Sequence, residues 1–173
     1  FQEFLKARVS QRVKDGQAFA VLYIDLDFFK SVNDLHGHDC GDRVLQQAAL
    51  CIQSVLRRGD VVARLSGDEF AAIIELRNDD DLESVCQRMV QSFRAPVIVD
   101  HREYFLSSSV GAAVYPDHGS QASELLQNAD RAMYAAKLAG RACFRIYDAV
   151  DTEQGRQAEL LSEALIVSLK TAP

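Results

Sequence analysis

Two short stretches carry side chains able to hold a cation beside a phosphate: Asp25-Leu26-Asp27 and Ser66-Gly67-Asp68-Glu69. The first ends a nearly continuous apolar run, 18–24, that reads as a buried central strand. Strand alternation places Asp25 and Asp27 on one face and Leu26 on the other. Two carboxylates at the end of a buried strand repel each other and lose solvation, so a cation is expected nearby. Helix capping is the plainer reading, above all for Asp27. The second stretch lies between Val61-Val62-Ala63 and Phe70-Ala71-Ala72-Ile73-Ile74, two strand-like runs around a Gly-containing turn, hence a β-hairpin. By itself Ser-Gly-Asp-Glu is ordinary turn chemistry. It becomes more if the hairpin tip faces the end of the first strand. Asp25, Asp68, Glu69 and the Leu26 carbonyl then form a hard oxygen cluster suited to Mg²⁺, and two such ions would clamp the attacking and leaving oxygens of a phosphoryl or nucleotidyl transfer. Calcium storage is disfavoured, because the chain has no twelve-residue loop of spaced acids.

A nucleoside triphosphate also needs cations at its distal phosphates. Lys137 and Arg141 are four apart, but Gly140 interrupts the helical pattern between them, so a shared face is not assumed; they equally suit a helix C-terminus. The backbone N–H groups of Phe28, Phe29 and Lys30, at a helix start, form a second phosphate cradle. Asn33 and Asp42 could read a guanine edge, an amide and a carboxylate in an apolar slot. Their plain alternatives are a helix-surface Asn and a first-turn acid.

These residues need a scaffold. Apolar positions Phe1, Phe4, Leu5 and Val9 give a helix over 1–15, ended by Gly16. After the first strand comes a short helix over 28–35, stopped by Gly37, and a longer one over 41–57 with Val44, Leu45, Ala48, Ile52, Val55 and Leu56 on its apolar stripe. Arg57 and Arg58 fall in its last turn, with Gly59 just beyond. The hairpin spans 61–76, and a helix follows to Phe93. A second strand pair is expected at 97–99 and 104–114. A helix striped by Leu125, Ala129, Ala132, Met133 and Ala136 ends at Gly140, and 143–147 is a last short strand. The order β-α-α-β-β-α-(β-β)-α-β is not the alternation of a doubly wound sheet. It points to an α+β, ferredoxin-like, mostly antiparallel central sheet flanked by helices, with the first strand beside the hairpin.

The 173 residues suit one domain; 48% are apolar and 25% charged, as in a globular protein with a real core. A net charge of −6 argues against the nucleic-acid backbone as main partner, though not against a single nucleotide. Cys40, Cys51, Cys86 and Cys143 show no metal-binding spacing and read as reduced cytosolic thiols. No apolar run approaches 18 residues and no signal peptide is evident, so this piece is expected to be soluble and cytoplasmic, in a parent chain that an inner-membrane anchor could still tether. Both ends look cut from something longer.

The linked motifs resemble those of the GGDEF family of diguanylate cyclases: D-L-D-F-F-K-S-V-N-D-L-H-G-H-D-C-G-D at 25–42, R-R-G-D at 57–60, R-L-S-G-D-E-F at 64–70, S-V-G-A-A-V-Y-P at 109–116 and A-D-R-A-M-Y-A-A-K-L-A-G-R at 129–141. The resemblance covers about residues 1–148. It implies a nucleotidyl-cyclase, polymerase-palm-like fold that joins two GTP into cyclic dimeric GMP and releases two pyrophosphates, with one GTP per protomer and therefore a homodimer. It implies two Mg²⁺ per site, with Mn²⁺ as a substitute, on Asp25, the Leu26 carbonyl, Asp68 and Glu69. One hairpin acid would help deprotonate the 3′-hydroxyl. Asn33 and Asp42 would bind guanine with Leu45 lining the pocket, and Lys137 and Arg141 would hold the β- and γ-phosphates. Ser66 and Gly67 would approach the nucleotide by their backbone. Arg57 and Asp60 match an R-x-x-D product-inhibition site, with Arg88 as its second-subunit arginine; a mere helix-end charge is the other reading of Arg57.

The sequence departs from the family pattern in two places: Ser66 replaces the first motif glycine, and Ala142 the asparagine that usually follows Arg141. A Ser with positive φ at 66 would be strained and would weaken substrate binding. Leu160, Leu161, Ala164, Leu165 and Leu169 give residues 151–173 a helical pattern, either packing back on residues 1–150 or connecting to a further domain. Together with A-M-Y-A-A-K, this resembles cyclase domains fused to an EAL phosphodiesterase. The expectation is a working cyclase. The alternative is a weak or silent GTP-binding module that controls an attached EAL domain under a sensor domain. A purely structural domain requires the acid cluster to be coincidence.

Overall fold

The computed structural model describes residues 1–15, 18–77 and 81–148. Gly16 and the 151–173 tail, with their expected helix stop and connector, lie outside the described residues. The elements are α1 (Gln2–Asp15), β1 (Phe19–Asp27), α2 (Phe29–His36), α3 (His38–Val55), β2 (Val61–Ser66), β3 (Glu69–Glu75), α4 (Asp81–Gln91), β4 (Val97–Val99), β5 (Arg102–Tyr104), β6 (Ser107–Tyr115), α5 (Ala122–Leu138) and β7 (Phe144–Ile146). Five strands form one sheet in the order β2-β3-β1-β6-β7, antiparallel except for the parallel β6–β7 pair. The fold is therefore α+β, with a mixed five-stranded sheet between two helical layers, as the element order implied.

The pleat of β1 sorts the two layers. Ala20, Leu22, Ile24 and Leu26 join α2, α3 and α4 in one core, whereas Phe19 and Val21 join α1 and α5 in the other. β1 is central and buried at eight of its nine positions, which explains its near-continuous apolar run. It also fixes Asp25 and Asp27 on the α5 side.

Several boundaries differ from expectation. α3 begins at His38, not Gly41, and ends at Val55, so Arg57 and Arg58 lie in the following turn rather than in the helix. Gly37, at φ 81°, serves both helices, while Gly41 is inside α3 for a packing reason: a Cβ there would sit 1.8 Å from Asn33 Oδ1. The expected 104–114 strand is two elements. β5 pairs only with β4 in a separate ribbon, the chain breaks at Phe105-Leu106, and β6 enters the main sheet beside β1. α4 ends at Gln91 rather than Phe93. All four cysteines are free, and burial pushes the Cys86 thiol up to about 12. No described helix is long and apolar enough to cross a membrane.

Candidate active site

β1 lies between β3 and β6, and the registers place Asp25 directly opposite Glu69 on one side and Ser109 on the other. The Asp68 carbonyl accepts a hydrogen bond from Leu26 N–H at 3.2 Å, so the strand end and the hairpin tip meet. The turn is shaped by a bulge between Arg64 and Ser66, by Gly67 at φ 44°, and by Arg64 Nε donating to the Gly67 carbonyl at 2.8 Å. Ser66 is not left-handed; the positive φ falls on Gly67, so the expected strain at Ser66 is absent. Its hydroxyl instead donates to Glu69 Oε2 at 2.5 Å.

Helix α5 crosses the same face. A Cβ on Gly111 would lie 2.0 Å from the Ala129 carbonyl, so helix and sheet touch backbone to backbone there. Two turns further on, Lys137 Nζ reaches Asp25 Oδ2 at 2.8 Å. Asp25 is 6% exposed. Burial pushes its carboxyl above the usual range; Lys137 opposes this, and the charges of Asp68 and Asp27 add to it. Asp130, on α5, is raised by burial and by Glu69, with Lys137 again opposing. Tyr23, two residues before Asp25 on the same face, lies near Glu69, and its phenol is raised by burial and by that carboxylate. Sequence reasoning missed both groups. The available signals were a phenol inside an otherwise aliphatic strand and an acid seven residues before Lys137, two turns along one helix face.

Asp27 has a different part. It is 2% exposed and accepts hydrogen bonds from the Ser107 and Ser109 hydroxyls, both at 2.7 Å, and from Ala142 N–H at 3.2 Å. It is not a helix cap: the N-cap of α2 is Phe28, at φ 61°, with no side-chain cap bond. Asp27 ties β6 and the α5–β7 turn to β1. In that turn Arg141 and Ala142 both have positive φ, 65° and 49°, a conformation that asparagine tolerates better than alanine. The Arg141 guanidinium lies 5.1 Å from the Phe28 ring centroid, and its Nε lies 3.9 Å from Asp27 Oδ1. Lys137 and Arg141 thus reach the end of β1 separately, one from the helix and one from the turn after it. Their side chains meet acids and a ring rather than the end of α5. Phe28, Phe29 and Lys30 begin α2 at that same strand end, where first-turn amides lack intrahelical acceptors.

The other expected residues fall nearby. Asp42 and Leu45 line a cavity of about 370 Å³ between α3 and the hairpin, with Gln46, Ala49, Val62 and Phe70 among its walls. Asn33 does not line it, but its amide packs on Gly41, next to Asp42. Arg57 and Asp60 close a turn on each other: Arg57 N–H donates to Asp60 Oδ2 at 2.8 Å, and Asp60 N–H to the Arg57 carbonyl at 3.1 Å. Arg88 is an exposed residue near the end of α4. A larger cavity, about 660 Å³, lies between α4 and β7 against Phe93, Arg94, Phe105 and Phe144, and holds none of the residues expected to act.

Among the described residues, no three His, Cys, Asp or Glu side chains are already gathered around an ion position. Asp25 is turned to Lys137, and Glu69 to Ser66. The donor set still fits a hard divalent cation, being all oxygen, partly buried and richer in carboxylates than in cations.

Residues 1–143 match the family described as "Diguanylate cyclase, GGDEF domain". The chain is 43% identical over 126 residues to the cyclic di-GMP phosphodiesterase NbdA of Pseudomonas aeruginosa, covering 73% of this chain and 16% of that protein. It is 38% identical over 160 residues to the bifunctional diguanylate cyclase/cyclic di-GMP phosphodiesterase MucR of the same organism, covering 92% of this chain and 23% of that protein. It is 38% identical over 154 residues to its diguanylate cyclase TpbB, covering 86% and 35%. The chain therefore spans about a sixth to a third of the length of these relatives. Among solved structures, the isolated GGDEF domain of TpbB superposes with a TM-score of 0.84 at 36% identity, covering 88% of this chain and 90% of that one. The active GGEEF domain of a Vibrio cholerae diguanylate cyclase superposes at 0.75 and 26%, covering 85% and 94%. By the family match, the relatives and the fold, the chain belongs to the GGDEF-domain family of diguanylate cyclases.

Proposed function

We propose that this domain condenses two GTP into cyclic dimeric GMP, releasing two pyrophosphates, as part of a homodimer in which each protomer presents one GTP. The observation that carries the reading is the pairing of buried Asp25 with Glu69 across β1 and β3, with Lys137 on Asp25 and Asp68 at the turn. Asp25, Asp68, Glu69 and the Leu26 carbonyl would hold Mg²⁺, with Mn²⁺ as a substitute. The metal supplies Lewis-acid stabilisation of charge on the phosphate oxygens. Lys137, which here pairs with Asp25, would bind the β- and γ-phosphates beside Arg141, which Asp27 and Phe28 hold at the strand end. The amides of Phe28, Phe29 and Lys30 receive phosphate oxygens. Asn33 and Asp42 bind the guanine edge, and Leu45 packs on the base. The 3′-oxygen from the facing protomer attacks the α-phosphorus. The new P–O bond forms as the bond to the β-phosphate oxygen breaks, pyrophosphate leaves, and a hairpin carboxylate takes the hydroxyl proton. Arg57 and Asp60, with Arg88 from the facing protomer, bind the product as an inhibitor. A Mg²⁺-dependent turnover assay on the dimeric full-length protein tests this; no product from GTP would refute it.

A second reading has its own support. Ala142 occupies a left-handed position, and the relatives include a protein named as a phosphodiesterase and one named as bifunctional. In that reading the domain binds GTP and regulates an attached EAL phosphodiesterase, through the 151–173 connector and in response to a sensor domain, on the cytoplasmic side of any membrane anchor. It fails if GTP leaves the neighbouring domain's hydrolysis rate unchanged.

A further inference from the structure

We infer that Ser66 and Tyr23 are positioning residues for Glu69: two hydroxyls, one from the turn and one from the neighbouring strand, that hold its carboxylate in place before a cation arrives. This rests on the proposed metal role of Glu69. Ser66 Oγ donates to Glu69 Oε2 at 2.5 Å, a charge-assisted contact spanning the turn it belongs to. Ser66 ends β2 and Glu69 begins β3, and the two are paired across the bulge, so the hydroxyl crosses the narrowest part of the hairpin. Tyr23 approaches from β1. It pairs with Ala71, two residues after Glu69 on the same face, which leaves its ring room to extend along the strand to the carboxylate. The diagonal from Tyr23 to Glu69 across β1 and β3 is short, and the carboxylate's charge reaches the phenol.

The consequence follows from counting acceptor positions. An ionised carboxylate offers about four lone-pair directions. Two hydroxyl donors occupy two of them and leave two for a cation, while removing the rotamer freedom that a lone exposed glutamate would lose on binding. Glycine at 66 has no hydroxyl to supply, so the departure from the family motif adds a contact to the site. It adds no backbone strain, because the left-handed residue in this turn is Gly67. The same logic governs outer-shell partners of metal ligands in general, whose removal weakens metal affinity about 10–100-fold.

The test measures Mn²⁺ binding by electron paramagnetic resonance on the full-length dimer, in the presence of a GTP analogue with a non-hydrolysable α–β bridge. Ser66→Gly, Ser66→Ala, Ser66→Thr and Tyr23→Phe are compared with the parent, and a thermal melt is recorded for each. The expected result is about 10-fold weaker Mn²⁺ binding for Ser66→Gly, Ser66→Ala and Tyr23→Phe at unchanged Tm, with Ser66→Thr restoring parental binding. Parental affinity in Ser66→Gly, or a loss in Ser66→Thr equal to that in Ser66→Ala, overturns the inference and leaves the proposed function standing. No Mn²⁺–nucleotide binding by the folded parent overturns both.

Discussion

Strand β3 begins and ends in a glutamate, and its two ends are opposites. At Glu75 one carboxylate receives two guanidiniums from α1, Arg8 on one oxygen and Arg12 on the other. Its backbone N–H also donates to Asp60 Oδ1 at 3.3 Å, which anchors the Arg57 turn. Charge there is satisfied. At Glu69 acids outnumber cations: Asp25, Asp68, Glu69 and Asp130 lie near one another, with Lys137 on Asp25 and Arg131 beside Asp130. Burial raises two of those acids rather than lowering them, as expected where cations are scarce. One end of the strand is finished as a protein and the other is short of positive charge. A closed ion pair marks architecture; a half-buried surplus of carboxylates marks demand for a ligand.

The strongest way to break this comparison is at the deficient end. Asp68→Ala is expected to lower cyclic dimeric GMP formation about 10³-fold or more, roughly 4 kcal/mol of barrier, with the thermal melt unchanged. Turnover on the dimeric protein checks it, and a matching loss of Tm would mean that Asp68 is structural. At the satisfied end the pattern inverts. Glu75→Ala removes the carboxylate that Arg8 shares with the 5%-exposed Arg12 and should cost about 3 kcal/mol in denaturant unfolding, while GTP affinity per folded molecule holds.

Arg57→Ala tests the turn hung from Glu75. Product inhibition should weaken about 10-fold, with the uninhibited rate intact, because a bidentate guanidinium contact is lost away from the reacting atoms. Lys137→Gln sharpens the charge argument through pH. Lys137 holds the Asp25 carboxyl down against burial, so without it that carboxyl rises further, and the acid limb of divalent-cation binding should move to higher pH. An unmoved limb would separate Asp25 from the metal.

The smallest effect concerns Asp130. Its folded pKa lies above the ordinary carboxylate value, so the folded state binds more protons than the unfolded one between those two pH values, and the contribution of this group to stability falls as pH rises through that window. Asp130→Asn should therefore raise Tm above the window, by no more than about 2 °C, with the gain fading as pH drops into it. Melts at several pH values check the sign.

Much of this was legible before any fold was known. The apolar run before Asp25-Leu26-Asp27 and the paired runs around Ser66-Gly67-Asp68-Glu69 are period and turn signals that need no tertiary context. Legibility failed where a residue's partner was distant in the chain. Asp27 looked like a cap because capping is the local use of such an acid, whereas its partners are Ser107, Ser109 and Ala142. Tyr23 and Asp130 were given no role of their own: the pairing of β1 with β3 brings Tyr23 to Glu69, and the crossing of α5 over β1 brings Asp130 there. Residues 104–114 read as one strand because Phe105-Leu106 is apolar, although the chain changes sheets there.

The sequence by itself determined the elements, the face on which each acid lies, and the family to which the chain belongs, because periodicity, turn chemistry and motif spacing are local. Tertiary structure decided which carboxylate is locked and which is available. It set Asp25 against Glu69 and Lys137, gave Asp27 to three donors, and put the left-handed residue of the hairpin turn at Gly67, sparing Ser66. The physical reason is that charge balance and hydrogen-bond satisfaction are counted over neighbours in space, and strand register and helix crossing choose those neighbours.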